Sequence, residues 1–293
     1  MNLLITGANG FIGKHLISKL TNKHLVFSVS RCKILSDLKI NLIEADLSKP
    51  EFTKKFPNNI DCVVHLAQSN KYRDFPEHAY DIHKININAT FEILEWCRLN
   101  KIKKYILAST ANVYSPSNDA FSETSAIFPK SFYGITKLCA ENLSLQYQKF
   151  FQVDILRLFT VYGTGQKNML IPNIIERIKL KKAIFLAKNI GLYLSPIHVT
   201  DVVEIICKFA ELPNQNNERI INICGNQIVT LGKIVSIIEN ILEYPAFINV
   251  TKDDPMFFTG KNLLLRQLFP KFAFKEIDFG LKELITYTNS KNK

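Results

Sequence analysis

The chain of 293 residues is poor in several residue types that mark specialised folds. It holds six cysteines, three methionines and one tryptophan. The cysteines (Cys32, Cys62, Cys97, Cys139, Cys207, Cys224) make no CxxC pair and no metal-ligand spacing, so a disulfide scaffold and a zinc module are both excluded and no metal is expected. Cys62, set before Val63 and Val64, reads as a small core side chain in a reduced, cytoplasmic protein. No apolar run reaches the roughly 18 residues of a membrane span. The first residues lack the basic stretch and cleavage site of a signal peptide. Acidic residues are also scarce: 26 Asp and Glu stand against 37 Lys and Arg, a net charge of +11. The lysines are scattered apart from short clusters at Lys101/Lys103/Lys104 and Lys179/Lys181/Lys182. The excess therefore reads as a solvated surface that attracts small anions, not as a nucleic-acid face.

What is present is enough apolar material for a sizeable core, 47% hydrophobic with 11% aromatic, in one large domain or two small ones. Short apolar runs alternate with longer amphipathic ones. Strands are expected at 2–6, 25–30, 40–44, 62–66, 105–109 and 153–158, with helices at 11–20, 82–99 and 133–151 between them. That alternation implies βαβ units and an α/β fold of Rossmann type, a doubly wound parallel sheet with helices on both faces. After about residue 165 the pattern loosens into helices near 172–182, 201–211, 231–243 and 275–288. The expected division is a dinucleotide-binding domain over 1–165 and a smaller α+β substrate lobe over 166–293, interleaved at the boundary.

Thr6-Gly7-Ala8-Asn9-Gly10-Phe11-Ile12-Gly13 joins the first strand to the first helix. Gly7 suits a tight turn, Gly10 lets backbone N–H groups approach a pyrophosphate, and Gly13 lets the helix pack against the strand, with Phe11 and Ile12 at the positive helix N-terminus. An acidic residue at the end of the second strand would bind the adenosine ribose. Here the strand ends in Ser30-Arg31, with an arginine placed for a 2′-phosphate, which favours NADP over NAD. Tyr133-Gly134-Ile135-Thr136-Lys137 sets a phenol and an amine at i, i+4 on one helix face, where the cation favours the phenolate and makes Tyr133 a general acid/base. Ser109 and Thr110 lie at the C-terminal end of a strand, where ligands of open α/β sheets bind.

Together these motifs resemble the extended short-chain dehydrogenases/reductases, the NAD-dependent epimerase/dehydratase group acting on nucleotide sugars, over roughly residues 2 to 285. The resemblance implies that Thr110, with Ser109 as the neighbouring alternative, bonds the reacting oxygen, that Lys137 holds the nicotinamide ribose, and that Asn86 supports that lysine. It places Asp46 and Leu47 at the adenine, and Leu66 and Ala67 beside the cofactor, with His65 a packing histidine. Dehydratases of the group carry Asp-Glu after the Ser/Thr, and this chain has Ala111-Asn112, so 4,6-dehydration is not expected. Thr160 and Leu194 replace a substrate-binding asparagine and an arginine for the diphosphate. Lys188, Lys252 and the loop Thr164-Gly165-Gln166-Lys167-Asn168 are the candidates to replace them. Asp201 reads as a helix cap. The expected activity is NADPH-dependent reduction of a 4-keto sugar nucleotide, with a 4-epimerase holding NAD tightly as the alternative and a homodimer as the implied assembly.

Overall fold

The computed structural model describes residues 1–32, 40–215 and 219–290. Its centre is a seven-stranded sheet built from β1 (Asn2–Thr6), β2 (Leu25–Ser30), β3 (Asn41–Glu44), β4 (Cys62–His65), β5 (Lys104–Thr110), β6 (Gln152–Leu158) and β11 (Arg219–Ile223). The spatial order is β11-β6-β5-β4-β1-β2-β3, and the run from β3 to β5 is parallel. Strands covered on both faces read as continuous apolar runs, which is why β4 and β5 are buried along their whole length. The order reverses between β1 and β4. Their register, Thr6 beside His65, sets the loops after β1 and β4 next to each other at the carboxyl edge, where such sheets bind ligands.

The chain divides into two compact, interleaved units. The first comprises residues 1–115, 126–157 and 203–221. It holds α1 (Phe11–Leu20), α2 (Ala79–His83), α3 (Ala89–Leu99) and α4 (Phe132–Gln146). The single helix expected from Ile82 to Leu99 is interrupted: a π-helical turn at Lys84–Asn88 separates α2 from α3 and turns Asn86 inward. Such turns often mark functional sites. The helix expected to reach Phe151 stops at Gln146, because Tyr147 stacks on Phe151 and bonds Glu95 Oε1 at 2.5 Å. Buried Lys104 donates through Nζ to the carbonyls of Phe209 (2.8 Å), Ala210 (3.2 Å) and Leu212, satisfying the last carbonyls of α6 (Val199–Glu211). Arg219 on β11 meets buried Asp154 on β6 at 2.6 Å.

The second unit comprises residues 116–125, 158–202 and 222–293. Its core is aliphatic: Ile171, Ile174, Ile175 and Ile178 of α5 (Leu170–Lys179) pack with Ile234, Val235 and Ile238 of α7 (Leu231–Leu242) and Leu281 and Leu284 of α9 (Ile277–Ser290). The sequence indicated these helices but not the short strands between them. β7 (Val161–Tyr162) pairs with β10 (Ile197–His198), β8 (Ile184–Ala187) with β13 (Ile248–Thr251), and β9 (Leu192–Leu194) lies between β12 (Val229–Thr230) and β14 (Met256–Phe258). Strands of two to four residues are too short for an alternating pattern to register. The remaining helix, α8 (Leu263–Leu268), is equally brief. Asp201 lies within the first turn of α6, not at its cap, and accepts the Lys275 N–H at 2.8 Å.

Candidate active site

The loop after β1 is built around close backbone approach. Gly7 has φ of +71°, and a Cβ there would stand 2.7 Å from Ala67 N and 2.9 Å from the Leu66 carbonyl carbon. A Cβ at Gly13 would stand 2.3 Å from Gly7 O. Both positions require glycine for the loop, α1 and the β4 end to stack. Gly10 differs: it is exposed, and its Cβ would meet only Gly7 O at 3.0 Å. The first helical hydrogen bond of α1 is Lys14 N–H to Gly10 O at 3.1 Å, so the N–H groups of Phe11 and Ile12 precede the ladder. No side chain caps this turn and no acidic residue occupies it. An open, uncapped helix start fits a pyrophosphate, and the residues present therefore suit a dinucleotide.

At the adenosine end, Ser30 is buried and Arg31 is exposed. Asn9 Nδ2 donates to Ser30 Oγ at 3.1 Å, and the Ser30 hydroxyl donates to Cys32 O. Asp46 accepts from Ser48 N (2.9 Å) and Ser48 Oγ (2.8 Å), an Asx turn that fixes its carboxylate. Burial opposes the Asp46 charge, but the Ser48 bonds and the positive fields of Arg31 and Lys49 hold the carboxyl below its ordinary range. Arg31 and Asp46 thus share one end of the sheet edge, and Leu47 packs into the core beneath them.

Around Tyr133 the structure brings several expected residues together and reassigns others. The Tyr133 hydroxyl donates to Gln68 Oε1 at 2.9 Å and also interacts with the Thr110 side chain. The expected lowering of the phenol by Lys137 is not seen: burial pushes Tyr133 up, with Thr110 and Arg73 acting the other way. The reason is the direction of the lysine. Lys137 Nζ turns to Ala108 O at 2.6 Å, and burial lowers the amine to about 8 against the raising effect of Glu141. Asn86 does not reach the ammonium either. Its Oδ1 accepts from Ser69 N at 2.9 Å and its Nδ2 donates to Thr136 Oγ1 at 3.0 Å, which fixes the residue before Lys137.

His65 is 1% exposed, with Nδ1 2.6 Å from Thr6 Oγ1 and Nε2 3.2 Å from Thr90 Oγ1. Burial and the nearby Lys137 lower it to about 3, as befits a neutral packing histidine. Ser109 turns from the phenol and donates to Glu141 Oε1 at 2.5 Å. Glu141, 1% exposed, forms a forked pair with Arg157 (Nη2 to Oε2 2.7 Å), and Arg157 Nη1 donates to the Tyr114 hydroxyl at 3.0 Å. Of the two alternatives at this strand end, Thr110 is therefore the one beside Tyr133.

Gln68 and Glu141 were not singled out from the sequence, and Asn112 entered only as a departure from the dehydratase pair. Glu141 carried a signal, since it follows Tyr133 and Lys137 at i+8 and i+4 on one stripe of α4, and a carboxylate in a buried stripe needs a partner. In the second unit Leu194 is buried, Lys188 pairs with Asp254 at 2.5 Å, and Gln166 Nε2 donates to Val161 O at 2.8 Å. Two of the candidate replacements for the missing arginine are thus already engaged.

Comparison with known proteins follows the same lines. The model of the NAD dependent epimerase/dehydratase family matches residues 3–224. An uncharacterized UDP-glucose epimerase of Bacillus subtilis, YtcB, is 31% identical over 266 residues, 82% of each chain. The dTDP-4-dehydro-6-deoxyglucose reductase of Escherichia coli is 28% identical over 290 residues, covering 90% of this chain and 88% of that one. The UDP-glucuronic acid 4-epimerase of Bacillus cereus, solved with UDP-glucuronic acid and NAD, superposes with a TM-score of 0.89 at 26% identity, over 99% of this chain and 100% of that one. Among the described residues no helix is long and apolar enough to cross a membrane. The matched residues include the glycine loop and the Tyr133/Lys137 helix, and the chain belongs to the NAD dependent epimerase/dehydratase family.

Proposed function

We infer that the protein reduces a 4-keto sugar nucleotide with NADPH. The observation that carries this reading is the end of β2, where Ser30-Arg31 replaces a ribose-binding carboxylate and Arg31 lies near enough to act on Asp46. A guanidinium suits a 2′-phosphate, to which it can bond bidentately. Gly7, Gly10, Phe11, Ile12 and Gly13 would hold the pyrophosphate, Asp46 and Leu47 the adenine, Leu66 and Ala67 the middle of the dinucleotide, and Lys137 the nicotinamide ribose. When bound, the cofactor supplies the hydride that reaches the carbonyl carbon. Thr110 orients the carbonyl oxygen, and Tyr133 gives that oxygen its proton and regains one from solvent. Ala111 and Asn112 supply no acid and base for loss of water. The similarity to the Escherichia coli reductase over 90% of this chain supports the reductive reading.

A second reading has its own support, because the Bacillus cereus 4-epimerase, solved with NAD, aligns over the whole chain. Denaturing freshly purified protein and identifying the nucleotide released separates the two. Stoichiometric NAD favours the epimerase. An empty protein stabilised far more by NADPH than by NADH in thermal shift favours the reductase, because a ligand that binds only the folded state raises its stability. In that case Arg31→Ala is expected to weaken NADPH by about 10- to 100-fold while leaving NADH unchanged, the loss of one charge-assisted contact. Equal weakening of both nucleotides would remove Arg31 from the 2′-phosphate site.

A further inference from the structure

The short 3₁₀ turn at Ala111–Val113 lies between the end of β5 and the start of α4. It is pressed against α4, since a Cβ on Gly134 would stand 2.4 Å from Asn112 O. Its middle residue faces back onto the site. Asn112 donates to Thr110 Oγ1 twice, from its backbone N at 3.2 Å and from its side-chain Nδ2 at 3.0 Å. A threonine hydroxyl has two acceptor lone pairs and one proton. With both lone pairs taken by Asn112, the hydroxyl is left only to donate. The group beside it is the Tyr133 hydroxyl, whose own proton goes to Gln68 Oε1 at 2.9 Å. The Asn112 bonds into Thr110 and the Tyr133 bond out to Gln68 point the same way, with the Thr110 side chain acting on the Tyr133 hydroxyl between them.

We propose that Asn112 is a positioning residue that fixes the polarity of this site: its two N–H groups fill Thr110 Oγ1, so that the Thr110 hydroxyl always presents its proton to the reacting oxygen or to Tyr133. The inference rests on the reading of Thr110 and Tyr133 given above. It assigns a task to the position where dehydratases of the group carry an acid. A carboxylate there would accept the Thr110 proton and turn the hydroxyl away from the site, whereas an amide holds it in place.

Asn112→Asp tests this directly, because it keeps the shape and exchanges the donor for an acceptor. Asn112→Ala, which keeps the backbone donor and loses the side-chain one, is the control. Asn112 is exposed, so both variants are expected to fold, which a thermal melt checks. With a 4-keto sugar nucleotide and NADPH at neutral pH, Asn112→Asp is expected to lower kcat by about 100-fold with KM little changed, the scale of losing one oriented donor. Asn112→Ala should be clearly milder. A role in packing alone would give the reverse order, since the isosteric aspartate disturbs packing least.

The second readout needs no turnover. In protein labelled with carbon-13 at the tyrosine ζ-carbon, the Tyr133 resonance is assigned by its loss in Tyr133→Phe. It should move further from its parent position in Asn112→Asp than in Asn112→Ala. An aspartate variant no worse than alanine in kcat, or a Tyr133 resonance unmoved by the aspartate, overturns the proposal. If no 4-keto sugar nucleotide is turned over but the resonance moves as stated, the polarity of the site is upheld and only the substrate reading falls.

Discussion

Tyr133→Phe is expected to lower turnover by about 10²- to 10⁴-fold, the usual contribution of a positioned acid or base, while the melting temperature and cofactor affinity stay near those of the parent. The size follows from what is removed. Reduction of a carbonyl generates an alkoxide that must take a proton, and the Tyr133 hydroxyl lies next to Thr110 at the carboxyl edge of the sheet. Burial holds that phenol protonated at neutral pH, the state a proton donor requires. The fold should not notice the change. The hydroxyl is bonded to the exposed Gln68, the ring keeps its neighbour Tyr72 at 4.8 Å, and water can replace the lost partner. The check is steady-state kinetics beside a thermal melt. Turnover within about threefold of the parent would place the proton donor elsewhere.

Much of this site was legible in the sequence because its parts are local. The glycine loop is a strand-to-helix junction written in consecutive residues, and Tyr133 and Lys137 sit one helical turn apart, so their spacing already fixes a shared face. The sheet was legible for the same reason: Cys62-Val63-Val64 of β4 and Tyr105-Ile106-Leu107-Ala108 of β5 are apolar runs of strand length bounded by polar residues. What escaped depends on contacts distant in sequence. That Lys137 turns to Ala108 O, 29 residues away, reverses the electrostatic expectation for Tyr133, and no spacing rule contains it. Gln68 meets Tyr133 across 65 residues. Asn86 was identified, but the π turn that turns it to Ser69 and Thr136 is invisible in Lys-Ile-Asn-Ile-Asn, whose apolar periodicity suits an unbroken helix. The strands of the second unit were missed because two-residue pairings such as β7 with β10 owe their existence to neighbours and not to their own pattern.

Lys137 shows what such a site costs the fold, and the prediction it makes runs against intuition: Lys137→Met should abolish activity and make the protein more stable. Burial lowers the amine from the ordinary 10.5 to about 8, so the charged form is disfavoured in the folded state despite Glu141 one turn away. A gap of that size corresponds to about 3 kcal/mol at neutral pH. Methionine removes the charge at similar volume but leaves Ala108 O without its 2.6 Å donor, a loss of about 1 kcal/mol, for a net gain of about 2 kcal/mol. The sign can be checked through pH. Because the folded value lies below the unfolded one, the unfolded chain binds more protons between pH 8 and 10.5, and the parent's deficit, full below about pH 8, fades as pH rises through that window. Denaturant unfolding should therefore show the variant ahead at pH 7 and the gap narrower by more than about 1 kcal/mol at pH 9.5. A variant less stable than the parent at pH 7 would mean that the Ala108 bond and the Glu141 field outweigh desolvation. The lysine would then be part of what holds the fold together, instead of a charge the fold retains at its own expense for the sake of the reaction.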